Sequence, residues 1–140
     1  MTITLCQTRD IATCRALRRV VFIEEQGVAE ADEVADRDET ALHLLLSEGD
    51  VPLGSARLLP GSGQVKIGRV CVLKSARGRG FGAALIRAAV DTARTLPGVT
   101  TVTLGAQTHA LGFYEALGFT ATGPVFDDAG IPHRKMTLEL

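Results

Sequence analysis

Tryptophan is absent from this 140-residue chain, and tyrosine occurs once, at Tyr114. With aromatics at only 4%, the sequence has few platforms on which bases of a single strand would stack, so no nucleic-acid partner is expected. No apolar run approaches the roughly 18 residues that cross a bilayer, and no membrane partner is expected either. Met1-Thr2-Ile3-Thr4 opens an alternating, strand-like pattern, not a basic-then-apolar leader. Cysteine is scarce and oddly numbered: Cys6, Cys14 and Cys71 show no Cys-x-x-Cys spacing. They read as reduced thiols, used as small core residues in a cytoplasmic protein. Internal repeats, low-complexity tracts and linkers are also missing. Residues 1–140, at 46% hydrophobic, therefore read as one domain around one core.

Charge is scarce by sign and by place. Between Val51 and Val90 there is no acid at all, against seven bases: Arg57, Lys66, Arg69, Lys74, Arg77, Arg79 and Arg87. Between Glu24 and Glu39 there are eight acids against Arg37 alone. One stretch suits a compact polyanion and the other a cation, unless both are merely solvated faces of opposite sign. Asp32, Asp36 and Asp38 approach calcium-loop spacing without the required glycine, so no metal is expected.

The basic stretch centres on Arg77-Gly78-Arg79-Gly80-Phe81-Gly82, which follows an apolar strand and opens a helix. Three glycines in five residues permit a tight turn and close approach of the main chain to a ligand. The following helix start offers unpaired N–H groups and the positive end of its dipole. Arg77 and Arg79 add forked donors that suit phosphate. The loop has no Gly-Lys-Ser/Thr and no Gly-x-Gly-x-x-Gly, so nucleotide-triphosphate and dinucleotide loops fit poorly.

Taken in order, the pattern predicts a strand over Thr2–Gln7, then a helix capped by Thr8 or Asp10. On that helix Ile11, Ala16, Leu17, Val20 and Val21 form the apolar side, and Arg15, Arg18 and Arg19 face outward. Val28–Asp38 reads as a loop or short irregular helix. Strands over Thr40–Ser47, Pro52–Leu59 and Val65–Leu73 are separated by turn chemistry at Glu48-Gly49-Asp50 and Pro60–Gly63. A helix over Phe81–Leu96, a strand over Thr100–Ala106 and a short helix over Thr108–Leu117 follow. Phe119–Thr122, a loop through Gly123-Pro124 to Gly130, and a strand over His133–Leu140 complete a mixed α/β sheet.

Arg77-x-x-Gly80-x-Gly82 resembles the Arg/Gln-x-x-Gly-x-Gly/Ala signature of the GCN5-related N-acetyltransferases (GNAT). Gln107-x-x-Ala110-x-x-x-Tyr114-x-x-x-Gly118-Phe119 resembles the second motif of that family, with glutamine for the commoner asparagine. Val21–Val28, Gly130–His133 and Met136 are similar to its ElaA-like branch. The resemblance implies a single-domain sheet, mostly antiparallel, splayed at one end with helices on both faces. It implies a pantetheine arm of acetyl-CoA bonded to backbone at Val70, Cys71 and Val72. The pyrophosphate would rest on Arg77, Gly78, Arg79, Gly80, Phe81 and Gly82, and Gln107 would touch the coenzyme.

Such chemistry needs a neutral amine, an oxyanion donor and an acid for the departing thiolate. By resemblance Tyr114 is the acid, and the backbone near Val70 or Cys71 holds the oxyanion. Candidates for base or acceptor contact are Glu24, Glu25, His43, His133 and Arg69, with Arg57 as a further polar residue in an apolar strand. The acidic stretch favours a cationic acceptor amine, on a small molecule or a peptide. A homodimer is compatible with the sequence. The alternative is a non-catalytic acyl-CoA sensor on the same fold.

Overall fold

The computed structural model describes residues 2–29 and 37–140; Glu30, Asp32, Glu33 and Asp36 of the acidic stretch, and with them most of the segment read as a loop over Val28–Asp38, lie outside the described residues. Strands β1 (Ile3–Thr8), β2 (Leu42–Glu48), β3 (Val51–Pro60) and β4 (Gln64–Val72) form an antiparallel run. Strands β5 (Thr101–Gln107), β6 (Thr120–Asp128) and β7 (Ile131–Glu139) follow in the chain. All seven make one sheet in the order β1-β2-β3-β4-β5-β7-β6. The single parallel pairing among the described residues, β4 with β5, joins the two parts. Helix α1 (Ile11–Arg18) continues directly as a π-helical stretch, Arg19–Glu25. Helices α2 (Phe81–Arg94) and α3 (Leu111–Ala116) follow β4 and β5.

Each face of the sheet has its own cover. On α2 the four-residue repeat Phe81, Leu85, Ala89 and Ala93 is buried, with Ile86 and Val90 beside it. These side chains share one core with Leu44, Leu46, Leu58, Val65, Ile67, Val102 and Leu104 of the strands. Leu85 is fully buried there, and truncating such a leucine to alanine costs about 3 kcal/mol. On the opposite face α1 packs across β2, β3 and β4, where Leu17 and Val21 meet Cys71 in a smaller cluster. Cys14 is also buried, and burial raises its thiol to about 11, out of reach of ready ionisation. Cys6 is exposed, against the expectation that all three cysteines sit in the core.

Two local expectations are corrected. Arg18 does not face outward: it is 1% exposed, while Val20 is 42% exposed. The cause is Asp38, whose carboxylate accepts two hydrogen bonds from Arg18, at 3.0 and 2.5 Å. Asp38 also accepts from Arg15 at 2.8 Å and from Arg57 at 3.3 Å. A partner twenty residues away thus overrides helix periodicity. Secondly, the chain from Gly123 to Asp128 is strand, not loop. The register between β6 and β7 shifts between Thr122 and Phe126. That irregularity takes up Gly123 (φ 76°) and Pro124 on an edge strand, where a missing N–H is tolerated. Arg134 Nε donates to Gly123 O at 2.8 Å and ties the irregularity down.

Burial by itself would raise the Asp38 carboxyl. Hydrogen bonds from Arg18, Arg15 and Arg57, together with Arg18's charge, outweigh it and hold the group well below the usual carboxylate range. A depressed pKa adds stability above the unfolded-state value near 3.9, and that stability is lost as pH falls through the lower folded value. Asp38→Asn should therefore cost about 3 kcal/mol in urea unfolding at pH 7, because two buried guanidinium groups lose their counter-charge. The gap from the parent protein should narrow only as pH drops below about 4. Equal stabilities at pH 7 would refute the ion cluster. The two-residue turn from β6 to β7 sets Ala129 at φ 54° and Gly130 at φ 81°. Both residues of such a turn need positive φ, which costs alanine about 1 kcal/mol. Ala129→Asn should raise the melting temperature by roughly 3 °C.

Candidate functional site

The site begins where a strand pairing ends. β4 and β5 are in register only from Gln64↔Thr101 to Ile67↔Leu104. Past that point β4 carries one residue more than β3: Ser55 faces Cys71, but Arg57 faces Gly68. The surplus is taken up at Arg69, whose φ is 51°. Such a bulge bends and twists its strand. The two strands part past Ile67, and a cavity of about 330 Å³ opens between them. Its walls include Val70 and Arg69 of β4, Gln107 of β5, Tyr114 of α3 and His133 of β7.

At the C-terminal end of β4, Lys74–Ala76 forms a single 3₁₀ turn with Ala76 buried. Gly78 and Gly80 then take φ of 82° and 81°, and Gly80 leads into α2. Among the described residues no side chain caps α2, and a β-carbon on either glycine would meet no atom within 4 Å. The first N–H groups of the helix thus lack a side-chain cap and lie beside open space, an arrangement that favours an anion. The two loop arginines are oriented by carboxylates. Arg77 pairs with Glu25 through both ends of its fork, one contact being 2.7 Å, and its Nε donates to Val72 O at 3.0 Å. Arg79 pairs with Glu48 at 2.8 and 3.2 Å and lies over the Phe81 ring. The hydrogen bond from Arg77 lowers the Glu25 carboxyl below its usual range.

Tyr114 is half-buried in the cavity wall. Its ring makes edge-to-face contacts with Phe113 at 5.0 Å and Phe119 at 6.2 Å. Its hydroxyl has no hydrogen-bond partner among the described residues, and burial raises its pKa, so it stays protonated at neutral pH. Gln107 at the end of β5 spans the mouth, with Nε2 3.4 Å from Gln26 Oε1 and Oε1 2.6 Å from His109 Nε2.

Of the candidate bases, only His133 lies in the cavity. Its Nδ1 is 2.7 Å from Ile131 O. A carbonyl only accepts, so Nδ1 carries the proton and the neutral ring keeps its lone pair on Nε2. The ring stacks on Phe126, centroids 5.8 Å apart. His43 is elsewhere: buried beneath α1, it donates from Nε2 to Asp38 O at 2.8 Å. Glu24 is turned to solvent and Arg19, and Glu25 to Arg77. The expectation that these three gather at the acceptor end is therefore not met. The sequence reading did not single out Gln26 or Phe126 and named Lys66 only as one base of the basic stretch, yet all three line the cavity. One signal for Phe126 was available. Gly105 interrupts a β-branched strand, and a methyl there would lie 3.3 Å from Phe126 Cζ.

Residues 18–140 match the family model described as an acetyltransferase (GNAT) domain. The Bacillus subtilis protein YyaT is 36% identical over 134 residues, covering 94% of this chain and 90% of its own. Escherichia coli ElaA is 33% identical over 129 residues, covering 89% and 84%. The crystal structure of ElaA superposes with a TM-score of 0.88 at 27% identity over 99% of this chain and all of that one. An acyl-CoA N-acyltransferase from Pseudomonas aeruginosa gives 0.82 at 31% identity, over 98% and 99%. With the parted strands, the uncapped helix after β4 and the tyrosine after β5, these likenesses agree: the chain belongs to the GNAT acetyltransferase family.

Proposed function

We propose that this protein transfers an acetyl group from acetyl-CoA to a primary amine by direct attack, with no covalent enzyme intermediate. The observation that carries the reading is Tyr114, the chain's one tyrosine, held protonated in the wall of the cleft that opens between β4 and β5. The pyrophosphate rests on the main chain from Arg77 to Gly82, and the pantetheine arm bonds the backbone of Val70, Cys71 and Val72. The amine nitrogen attacks the thioester carbonyl carbon, and a backbone N–H at Val70 or Cys71 receives the developing oxyanion. As the C–S bond breaks, the Tyr114 hydroxyl gives its proton to the thiolate. His133 Nε2 takes the proton that the nitrogen sheds, and solvent resets both groups. Cys71 contributes its main chain and is not a nucleophile; its side chain is buried. The full-length likeness to ElaA supports placing the chain in the ElaA-like branch.

The expectation of a cationic acceptor rested on the acidic stretch. Of its acids, Glu24 and Glu25 are turned to Arg19 and Arg77, and Asp38 to its arginines, away from the cleft. The described walls give that expectation no support.

Tyr114→Phe should lower kcat about 100-fold while calorimetry shows coenzyme A binding unchanged. A sensor would show binding with no turnover to lose. The alkaline fall due to loss of the phenolic proton should lie above the usual tyrosine range and vanish in this variant. His133→Gln should lose most activity at low pH and regain part of it as pH rises, because more of the amine is then already neutral. Loss independent of pH would deny His133 the base role.

A further inference from the structure

The cleft continues away from the glycine loop into a second cavity of about 420 Å³, with Leu59, Lys66, Leu104, Gly105 and Phe126 common to both. Register explains the continuity. Lys66 sits beside Thr103 on the β4–β5 pairing, and Gly105 sits beside Lys135 on the β5–β7 pairing. Gly105 raises no side chain between the two lysines, and the Phe126 ring packs over it to form the floor of the trough there.

Among the described residues, the charges in the walls of this far end are of one sign. The second cavity is lined by Arg37, Lys66 and Lys135, and no acid lines it among the described residues. All three cations are exposed, and none makes an ion pair among the described residues. In the adjoining cavity Asp128 is the one acid in the described walls. Deeper in, Arg57 is 7% exposed and lines the same cleft. Its contact to Asp38, 3.3 Å, is the longest that this carboxylate receives, because Arg18 and Arg15 already hold both oxygens. Arg57 Nε is buried with no hydrogen-bond partner among the described residues. Arg57 thus shares the Asp38 carboxylate with Arg18 and Arg15, and it is the one of the three that lines the cleft.

Resting on the acetyl-transfer reading above, we propose that the acceptor is a primary amine that also carries a carboxylate. Lys66 and Lys135 meet that carboxylate in the trough, and Arg57 supplies a fixed guanidinium behind them. The amine end then lies toward Tyr114 and His133. A carboxylate entering this trough replaces hydration with charge-assisted hydrogen bonds, whereas a second ammonium group would meet like charge.

The test is a matched acceptor series of one chain length: an ω-amino carboxylate, its neutral amide, the diamine and the aminoalkyl phosphate. Acetyl transfer is followed by thiol release, with coenzyme A titrated calorimetrically in parallel. The carboxylate should exceed the amide at least 10-fold in kcat/KM and the diamine by more, with the margin shrinking as salt rises. In Lys66→Gln/Lys135→Gln the margin should collapse through KM for the carboxylate, with kcat and the amide's KM little changed. Both lysines are exposed, so the double variant should fold. Equal use of carboxylate and amide, preference for the diamine, or a margin that survives the double variant would overturn the proposal and leave the transferase reading intact. Preference for the phosphate over the carboxylate would overturn the carboxylate assignment. Failure of coenzyme A to bind would overturn both readings.

Discussion

Past Ile67, β4 has no strand to bond on its β5 side, and this one interruption governs the molecule. A strand in mid-sheet normally exchanges hydrogen bonds on both sides, because an unpaired buried N–H or C=O is costly. Here the pairing with β5 ends at Ile67, and the extra residue at Arg69, two positions on, bends β4. The strand therefore presents main-chain donors and acceptors to a cleft instead of a neighbour. The glycine loop follows the free end of β4, and the helix with Tyr114 follows the free end of β5. The glycine loop and Tyr114 thus both flank the point where the two strands part.

Charge does three different jobs around that interruption. Under α1, Asp38 is inaccessible to solvent, and its pairs with Arg18 and Arg57 are barely screened. At the glycine loop the Glu25–Arg77 and Glu48–Arg79 pairs are largely in water. Exposed pairs of that kind add little to stability. What they do is fix the direction of two long side chains beside a helix start that favours anions. In the trough the cations have no described counter-charge, so their field is available to whatever enters. Burial, not residue type, separates the three roles.

Much of this was legible in the sequence, and the reason is local. The glycine loop declares itself because three glycines beside two arginines have few other uses, and α2 because its apolar residues return every four positions. Tyr114 and Gln107 were placed by a second motif at a fixed distance from the first. What stayed hidden depends on pairs far apart in the chain. Nothing near Arg18 signals that Asp38 will draw it inward, and nothing near Glu25 signals Arg77, fifty-two residues on. The strand through Gly123-Pro124 was hidden for the opposite reason. Local turn chemistry there is strong, but a bulge on an edge strand absorbs it. His133 could be named as a candidate but not chosen over His43, since both lie in strands and only the sheet order decides which one faces the cleft.

The first helix ends in seven residues of π-helix, Arg19–Glu25. Wider turns of this kind are rare and often sit at functional sites. The stretch carries Phe22 and leads into Gln26, which both line the cleft, and it ends at Glu25, which holds Arg77. Each successive residue of an ordinary helix turns by about 100°. Loss of a single residue here, closing the wide turns to normal ones, would swing all three contacts off target together. Chain length between Arg19 and Glu25 is therefore constrained more tightly than the identity of the residues that fill it. In diverging copies of this gene, substitutions in that stretch should be tolerated where a one-codon deletion is not.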